Sequence, residues 1–188
     1  MNAVSRIDQP DFEKEKVADH FVGPGISNWI GNRVIALCNR SFAIVEIIRR
    51  FRGRNGVENI STNELLKAIS TNDMSIILVD VRSKKEQMIS KILGSISAKE
   101  FESDPTRYEV RIVVPYCTVG GRSYLYAKRL VDSGVDCQNY RDGILGWCRA
   151  GLPLETPDGR STTKVNTYWR IFGVPARYEF QKNCTTDT

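Results

Sequence analysis

Between residues 57 and 155, short β-branched runs alternate with longer segments in which apolar positions follow a helical period. The clearest run is SIILVDV at 75–81, a continuous apolar segment typical of a strand buried on both faces of a parallel sheet. The pattern predicts further strands at VENIS, GSISA, RIVVPYC (111–117) and VDCQNY, and helices at STNELLKAIS, SYLYAKRLVDSG and GILGWCRAG. Ser61 and Glu64 have the spacing of a capping box. This alternation predicts an α/β domain at 57–155 with an open, mostly parallel sheet.

The segment before this domain, residues 1–56, is an N-terminal extension with a different pattern. A polar lead is followed by an apolar stretch that predicts an amphipathic helix at about 28–52. Arg33 and Arg40 interrupt the stretch, which argues against a helix that spans a bilayer. Two interpretations remain for residues 28–54: packing on the main domain or on a second subunit, and contact with a membrane surface.

The segment after the domain, residues 156–188, is a tail with many aromatic side chains. We predict that this tail wraps over an apolar face of the domain. The aromatic residues expected to pack there are Tyr168, Trp169, Phe172, Tyr178 and Phe180.

Composition fits one soluble globular domain with extensions, because 41% of the 188 residues are hydrophobic and 26% are charged. The net charge of +5 comes largely from one local group of arginines. These are Arg49, Arg50, Arg52 and Arg54. A basic stripe elsewhere is lacking, so we predict no nucleic-acid partner.

The number and spacing of the cysteine and histidine residues limit which metal sites and redox reactions are possible. The five cysteines are widely spaced and form no CxxC pair: Cys38, Cys117, Cys137, Cys148 and Cys184. With His20 as the single histidine, we predict no metal site and no cofactor. The odd number and wide spacing of the cysteines argue against a set of disulfides and favour a reducing compartment. The first residues have no apolar signal region. These observations predict a cytoplasmic protein, with association to a membrane through the N-terminal helix left open.

The stretch YCTVGGRSYLYAKRL places the thiol of Cys117 where a strand turns into a helix. An ordinary thiol is mostly protonated at neutral pH. The free N–H groups of such a loop point at the sulfur and favour a thiolate, and the guanidinium of Arg122 adds a positive charge. Gly120 and Gly121 tolerate the positive φ that a tight loop needs. The loop alone is equally consistent with a buried, inert cysteine.

Four stretches, in order, decide between these interpretations: ILVDVRSKKEQ, ILGSI, VVPYCTVGGRSYLYAKRLVDSG and YRDGILGWCRAGLPLE. Over residues 57–155 the chain resembles the rhodanese-like sulfurtransferase family. The shared motifs are Asp-Val-Arg at 80–82, Cys-x4-Arg at 117–122 followed by Ser123, and Gly-Ile-x-Gly-Trp at 143–147. The chain departs from the family where Ser-Lys-Ile-Leu-Gly-Ser at 90–95 replaces the common Gly-His-Ile-x-Gly-Ala.

The resemblance implies a rhodanese-like open sheet of about five mostly parallel strands with helices on both faces. It implies that Cys117 takes a sulfane sulfur from a small donor such as thiosulfate, becomes a persulfide, and passes the sulfur to a thiophilic acceptor. That acceptor would be cyanide in an assay, and a thiol or a protein otherwise. Residues expected to bind the substrate or persulfide are Thr118, Val119, Gly120, Gly121, Arg122 and Ser123. Asp80 and Arg82 are expected to brace the loop as a structural ion pair.

Two other functions remain open. A phosphatase or arsenate reductase has a related cysteine-arginine loop, but with one more residue than the four between Cys117 and Arg122. A non-catalytic interaction module is the other alternative. Resolving a persulfide or forming a regulatory disulfide with Cys117 are roles open to Cys137 and Cys148, but we expect both to be buried.

Overall fold

The computed structural model describes residues 21–22, 33, 36–37, 40–41, 44, 56–70, 76–169 and 172–182. The strands in chain order are β1 Phe21–Val22, β2 Glu58–Ile60, β3 Ile76–Asp80, β4 Lys91–Ile92, β5 Ile96–Ser97, β6 Ile112–Tyr116, β7 Gln138–Tyr140, β8 Leu154–Glu155, β9 Ser161–Thr162, β10 Lys164–Val165, β11 Val174–Pro175 and β12 Glu179–Phe180. The helices are α1 Thr62–Ser70, α2 Lys84–Gln87, α3 Ala98–Ser103, α4 Gly121–Asp132 and α5 Gly143–Arg149, with a 3₁₀ turn at Pro105–Tyr108.

Five of these strands form the predicted central sheet, in the order β5-β3-β6-β7-β2. All of the neighbouring strands run parallel. A parallel bridge between Val113 and Cys137 joins β6 to β7, and the Val113 N–H donates to the Asp136 carbonyl at 2.9 Å. The prediction of an open parallel α/β sheet is therefore confirmed.

The side chains of the central strands alternate between two hydrophobic clusters, one on each face of the sheet. Leu78 and Val114 belong to a cluster with Leu65 of α1 and Ile144 of α5. Val79 and Val113 belong to the other cluster, which contains the residues from α3 and α4: Phe101, Tyr124, Tyr126 and Ala127. Because strand side chains point to opposite faces in turn, the apolar runs are buried on both sides. Helices therefore cover both faces, as the sequence predicts.

Local signals explain where the helices begin and end. At the start of α1 the Ser61 N–H donates to Glu64 Oε2 at 2.8 Å, and the Glu64 N–H donates to Ser61 Oγ at 3.4 Å. This is the predicted capping box. At the end of α4, Gly134 has a φ of +85° and the Val135 N–H donates to the Leu130 carbonyl at 3.0 Å. The predicted glycine stop is thus present.

Part of the C-terminal tail packs into the hydrophobic cluster that contains Leu65 of α1 and Ile144 of α5. Val165, Phe172, Val174 and Tyr178 are buried there, β10 pairs with β12, and β11 pairs with β1. Phe180 is half-buried. Tyr168 and Trp169 are more exposed, at 59% and 53%. Tyr168 has a left-handed backbone conformation, with φ +66°.

Most of the predicted helix at 28–52 lies outside the described residues, as do His20, Cys38 and Cys184. The described positions between 33 and 44 are helical and exposed, and Leu37 is 68% exposed. Within the described parts of the chain, no helix is long and apolar enough to cross a membrane.

Candidate functional site

The site is built at the corner where β6 ends and α4 begins. Tyr116 ends the strand, and the Cys117 side chain is buried, with 1% exposure. The first helical hydrogen bond of α4 runs from the Tyr124 N–H to the Gly120 carbonyl, at 3.0 Å. The N–H groups of the three preceding helical residues, Gly121 to Ser123, therefore have no acceptor within the helix. The predicted loop residues, 118–123, all lie at this one corner.

Close backbone contacts hold the loop against the neighbouring segment. Gly120 has a φ of +81°, and a Cβ there would lie 2.1 Å from the Arg141 carbonyl oxygen. Gly143 has a φ of +60°, and its Cβ would lie 2.6 Å from the carbonyl oxygens of Cys117 and Thr118. These two positions therefore require glycine. Gly121, unlike Gly120, does not have a positive φ. It is the first residue of α4.

Helix α5 fixes the loop from the other side through its first N–H groups. The Ile144 N–H donates to the Cys117 carbonyl at 2.9 Å, and the Leu145 N–H donates to the Thr118 carbonyl at 3.2 Å. These bonds satisfy donors at a helix start that otherwise lack partners. The Gly-Ile-x-Gly-Trp motif thus supports the loop from a different part of the chain.

Arg122 is paired with a carboxylate that the sequence analysis missed. Its Nη1 and Nη2 donate to the two carboxylate oxygens of Glu86, both at 2.8 Å, and Nη2 also donates to Thr118 Oγ1 at 3.0 Å. The sequence predicts a guanidinium that is available to the thiol and to an anionic donor. In the structure a bidentate ion pair already balances much of its charge.

A signal for Glu86 was present in the sequence. Ser83 and Glu86 have the same spacing as Ser61 and Glu64, and they form a second capping box at the start of α2. The Glu86 side chain is buried, which by itself would raise its pKa. Hydrogen bonds from Arg122 and Ser83 outweigh that effect and lower the pKa of Glu86 to about 2. Glu86 is therefore a stable anion that organises Arg122.

Ser123 links the thiol to a buried amide. Its hydroxyl lies 3.7 Å from Cys117 Sγ and donates to Asn139 Oδ1 at 2.7 Å. The Asn139 amide in turn donates to Asn59 Oδ1 at 2.8 Å. A hydroxyl carries one hydrogen, so it serves either Asn139 or a thiolate at Cys117. Sequence analysis had no signal for Asn139, because the contact depends on how β7 lies beside α4.

Asp80 and Arg82 form the expected ion pair, which is fully buried. Arg82 Nη2 lies 2.7 Å from Asp80 Oδ2 and donates to the Ser90 carbonyl at 2.6 Å. The Tyr116 hydroxyl donates to the same Asp80 oxygen at 2.8 Å and accepts a bond from the Ile92 N–H at 3.0 Å. This network is attached to the residue before Cys117, so it supports the loop through strand β6.

The C-terminal tail also reaches the site. The Tyr168 ring lies 5.2 Å from the Arg122 guanidinium carbon, and Arg82 Nη1 donates to the Asn166 carbonyl at 3.4 Å. The sequence placed the tail near an apolar face but did not connect it with the loop.

The remaining described cysteines are buried, as expected. Burial is the main cause that raises the pKa of both Cys137 and Cys148 to about 12. The described residues contain no cluster of three or more His, Cys, Asp or Glu side chains that would hold a metal ion.

Comparison with known proteins identifies similar sequences and structures. The profile of the rhodanese-like domain family matches residues 61–150. A sulfurtransferase from Allochromatium vinosum is 30% identical over 107 residues, which cover 55% of this chain and 99% of that protein. The crystal structure of a thiosulfate sulfurtransferase from Pseudomonas aeruginosa is 22% identical, with a TM-score of 0.48, over 64% of this chain and 23% of that one. A rhodanese-related protein from Thermoplasma volcanium is 22% identical, with a TM-score of 0.44, over 52% of this chain and 96% of that one.

Proposed function

The chain belongs to the rhodanese-like domain family, and we propose that it is a sulfurtransferase that carries a sulfane sulfur on Cys117. The family match and the similar sulfurtransferase support a sulfur-transferring function. The observation that carries the proposal is the four-residue loop between Cys117 and Arg122, held at a strand-to-helix corner where the first N–H groups of α4 have no acceptor within the helix. Such a ring of donors suits a sulfur anion.

The proposed reaction has two displacement steps. The Cys117 thiolate attacks the outer sulfur of a donor such as thiosulfate, an S–S bond forms, and the donor S–S bond breaks as sulfite leaves with the electron pair. A nucleophilic acceptor, either cyanide or a thiol, then attacks the outer sulfur of the persulfide and releases the Cys117 thiolate. A persulfide extends the reactive sulfur about 2 Å beyond Sγ. This extension makes a buried cysteine accessible to an acceptor.

The loop residues have distinct proposed roles. The backbone N–H groups from Thr118 to Arg122 stabilise the persulfide anion, and the Ser123 hydroxyl turns from Asn139 to donate to the thiolate. Arg122, held by Glu86, closes the loop. Asp80 and Arg82 keep strand β6 in place and do not react. Donor and acceptor bind directly to this site, so no cofactor is required.

The test is the mass of the intact protein after brief exposure to thiosulfate. We expect the wild type to gain one sulfur atom, and cyanide to remove it. Cys117→Ser should gain nothing, whereas Cys148→Ser, which removes another buried thiol, should load normally. Failure to gain sulfur from both thiosulfate and an organic persulfide would contradict sulfur transfer. The domain would then be an interaction module. Release of phosphate from a phosphate ester would instead indicate the phosphatase alternative.

A further inference from the structure

A short strap of the C-terminal tail, residues 166–168, lies outside the family match at 61–150 and is fixed by hydrogen bonds. Asn166 and Thr167 are buried. The Tyr168 N–H donates to Asn166 Oδ1 at 2.7 Å, and Asn166 Nδ2 donates to the Lys182 carbonyl at 2.9 Å. The strap therefore holds Tyr168 in a defined position.

Tyr168 has two features that do not favour folding. It is the one non-glycine residue with a positive φ among the described residues, at +66°. A bulky side chain in this region is strained. Its ring is also 59% exposed, so burial in the core does not compensate for the strain. Strained backbone that packing does not explain is concentrated at functional sites, which makes this position a candidate.

The ring of Tyr168 lies on Arg122, next to the loop that holds the thiol. Glu86 and Thr118 already bind both terminal nitrogens of Arg122. A molecule that approaches this part of the loop therefore meets an aromatic surface beside a largely balanced cation. An inorganic anion gains little from such a surface, whereas an apolar group can pack on it.

Trp169 extends this aromatic surface. It is 53% exposed, its ring centroid lies 5.3 Å from that of Tyr168 with the rings edge to face, and it stacks on the buried Phe172 at 6.0 Å. The exposed pair is thus supported from beneath by the core. Together the two rings form an exposed aromatic surface that adjoins Arg122 through Tyr168.

Building on the proposed sulfur transfer, we propose that Tyr168 and Trp169 bind the organic group of the sulfur donor and make the site selective for organic sulfane compounds. A thiosulfonate, R–SO₂–S⁻, represents this class. The Cys117 thiolate attacks its outer sulfur, an S–S bond forms, the donor S–S bond breaks, and a sulfinate, R–SO₂⁻, leaves with the electron pair. The charge and atoms balance without an oxidant.

The experiment compares two donors that have the same charge and reactive group but differ in size: methanethiosulfonate and benzenethiosulfonate. Persulfide formation on the full chain is followed by intact mass, and kcat/KM is measured with cyanide as the acceptor. The ratio of the two donors' rates with a small free thiol gives their intrinsic difference in reactivity. We expect the wild type to prefer benzenethiosulfonate, in kcat/KM, by a larger ratio than this. Tyr168→Asn should reduce that preference about fivefold, the size of one aromatic contact.

Asparagine tolerates a positive φ, so Tyr168→Asn should melt no lower than the wild type although it loses selectivity. Tyr168→Phe keeps the ring and should keep the preference. Trp169→Ala, at a position without a positive φ, tests the same surface if the first variant does not fold. A preference that survives both Tyr168→Asn and Trp169→Ala overturns the inference. If neither donor loads sulfur onto the protein, the proposed sulfur transfer is wrong, and this inference, which depends on it, is wrong as well.

Discussion

The side chains around the loop differ in how well the sequence predicts their roles. Cys117 and Arg122 stand in a motif, and Glu86 stands in a capping-box spacing that also occurs at Ser61 and Glu64. Asn139 has no such signal. A motif records residues that are close along the chain, whereas Asn139 and Ser123 are sixteen positions apart. Their contact depends on the packing of β7 against α4.

The ion pair between the buried Glu86 and the partly exposed Arg122 predicts a pH dependence of stability. The pKa of Glu86 falls from its ordinary 4.5 to about 2 on folding, so the unfolded chain binds the proton first as the pH falls. The stabilisation is complete above about pH 4.5 and is lost towards pH 2. We expect it to be on the order of 2 kcal/mol, because Arg122 is partly exposed and solvent screens the pair.

Urea unfolding of the wild type and Glu86→Gln between pH 7 and pH 2 measures this contribution. The variant should be less stable at pH 7, and the difference should shrink below pH 4.5. Glu64→Gln is the matched control, because Glu64 has the same capping-box contact at an exposed position and should change stability less. Parallel pH profiles for the wild type and Glu86→Gln would contradict the argument.

Helices and strands followed the hydrophobic pattern closely, because each short element of the sheet is buried on both faces. The pattern located β3 and β6, the capping box located the start of α1, and Gly134 located the end of α4. The pattern did not show how α5 approaches the loop. A Cβ at position 143 would prevent that approach. The sequence shows a glycine there but not the contact that requires it.

The corner between β6 and α4 depends on the close approach of two backbones at Gly120. Gly120→Ala should cost about 3 kcal/mol or more, since its Cβ would overlap the Arg141 carbonyl and the positive φ adds strain. Gly134→Ala is the matched control: its φ is similar, at +85°, but nothing lies within 4 Å of the added Cβ. That variant should cost only about 1 kcal/mol.

Urea midpoints and persulfide loading are the two measurements for this pair. Gly134→Ala should load sulfur like the wild type, and any Gly120→Ala that folds should load less. Equal losses of stability in the two variants would show that φ strain alone, and not the contact with Arg141, determines the cost.

The molecule as a whole extends its core beyond the central sheet. Val165, Phe172, Val174 and Tyr178 of the tail lie in the same cluster as Trp147 of α5. Part of the tail thus packs into one of the two hydrophobic clusters and also places Asn166 beside Arg82 and Tyr168 beside Arg122. One segment therefore contributes both to the core and to the surroundings of Arg122.

Two aromatic residues of the tail test this view. Phe172→Ala should cost about 3–4 kcal/mol, because the ring is 5% exposed and its removal leaves a cavity. Trp169→Ala should cost less than about 1 kcal/mol, because that ring is 53% exposed. Both are measured by urea unfolding of the full chain. Similar losses would mean that the tail does not share the core as the structure describes.

The chain's pattern of apolar runs, caps and glycines was sufficient to predict the parallel sheet, its helices and the position of Cys117, because these features depend on residues that are near one another in sequence. The pairing of Arg122 with Glu86, the link from Ser123 to Asn139 and the position of Tyr168 over the loop required the folded molecule. Each of these contacts joins separate elements, and its geometry follows from how the elements pack. A linear pattern carries no distance between segments, so it cannot specify such contacts.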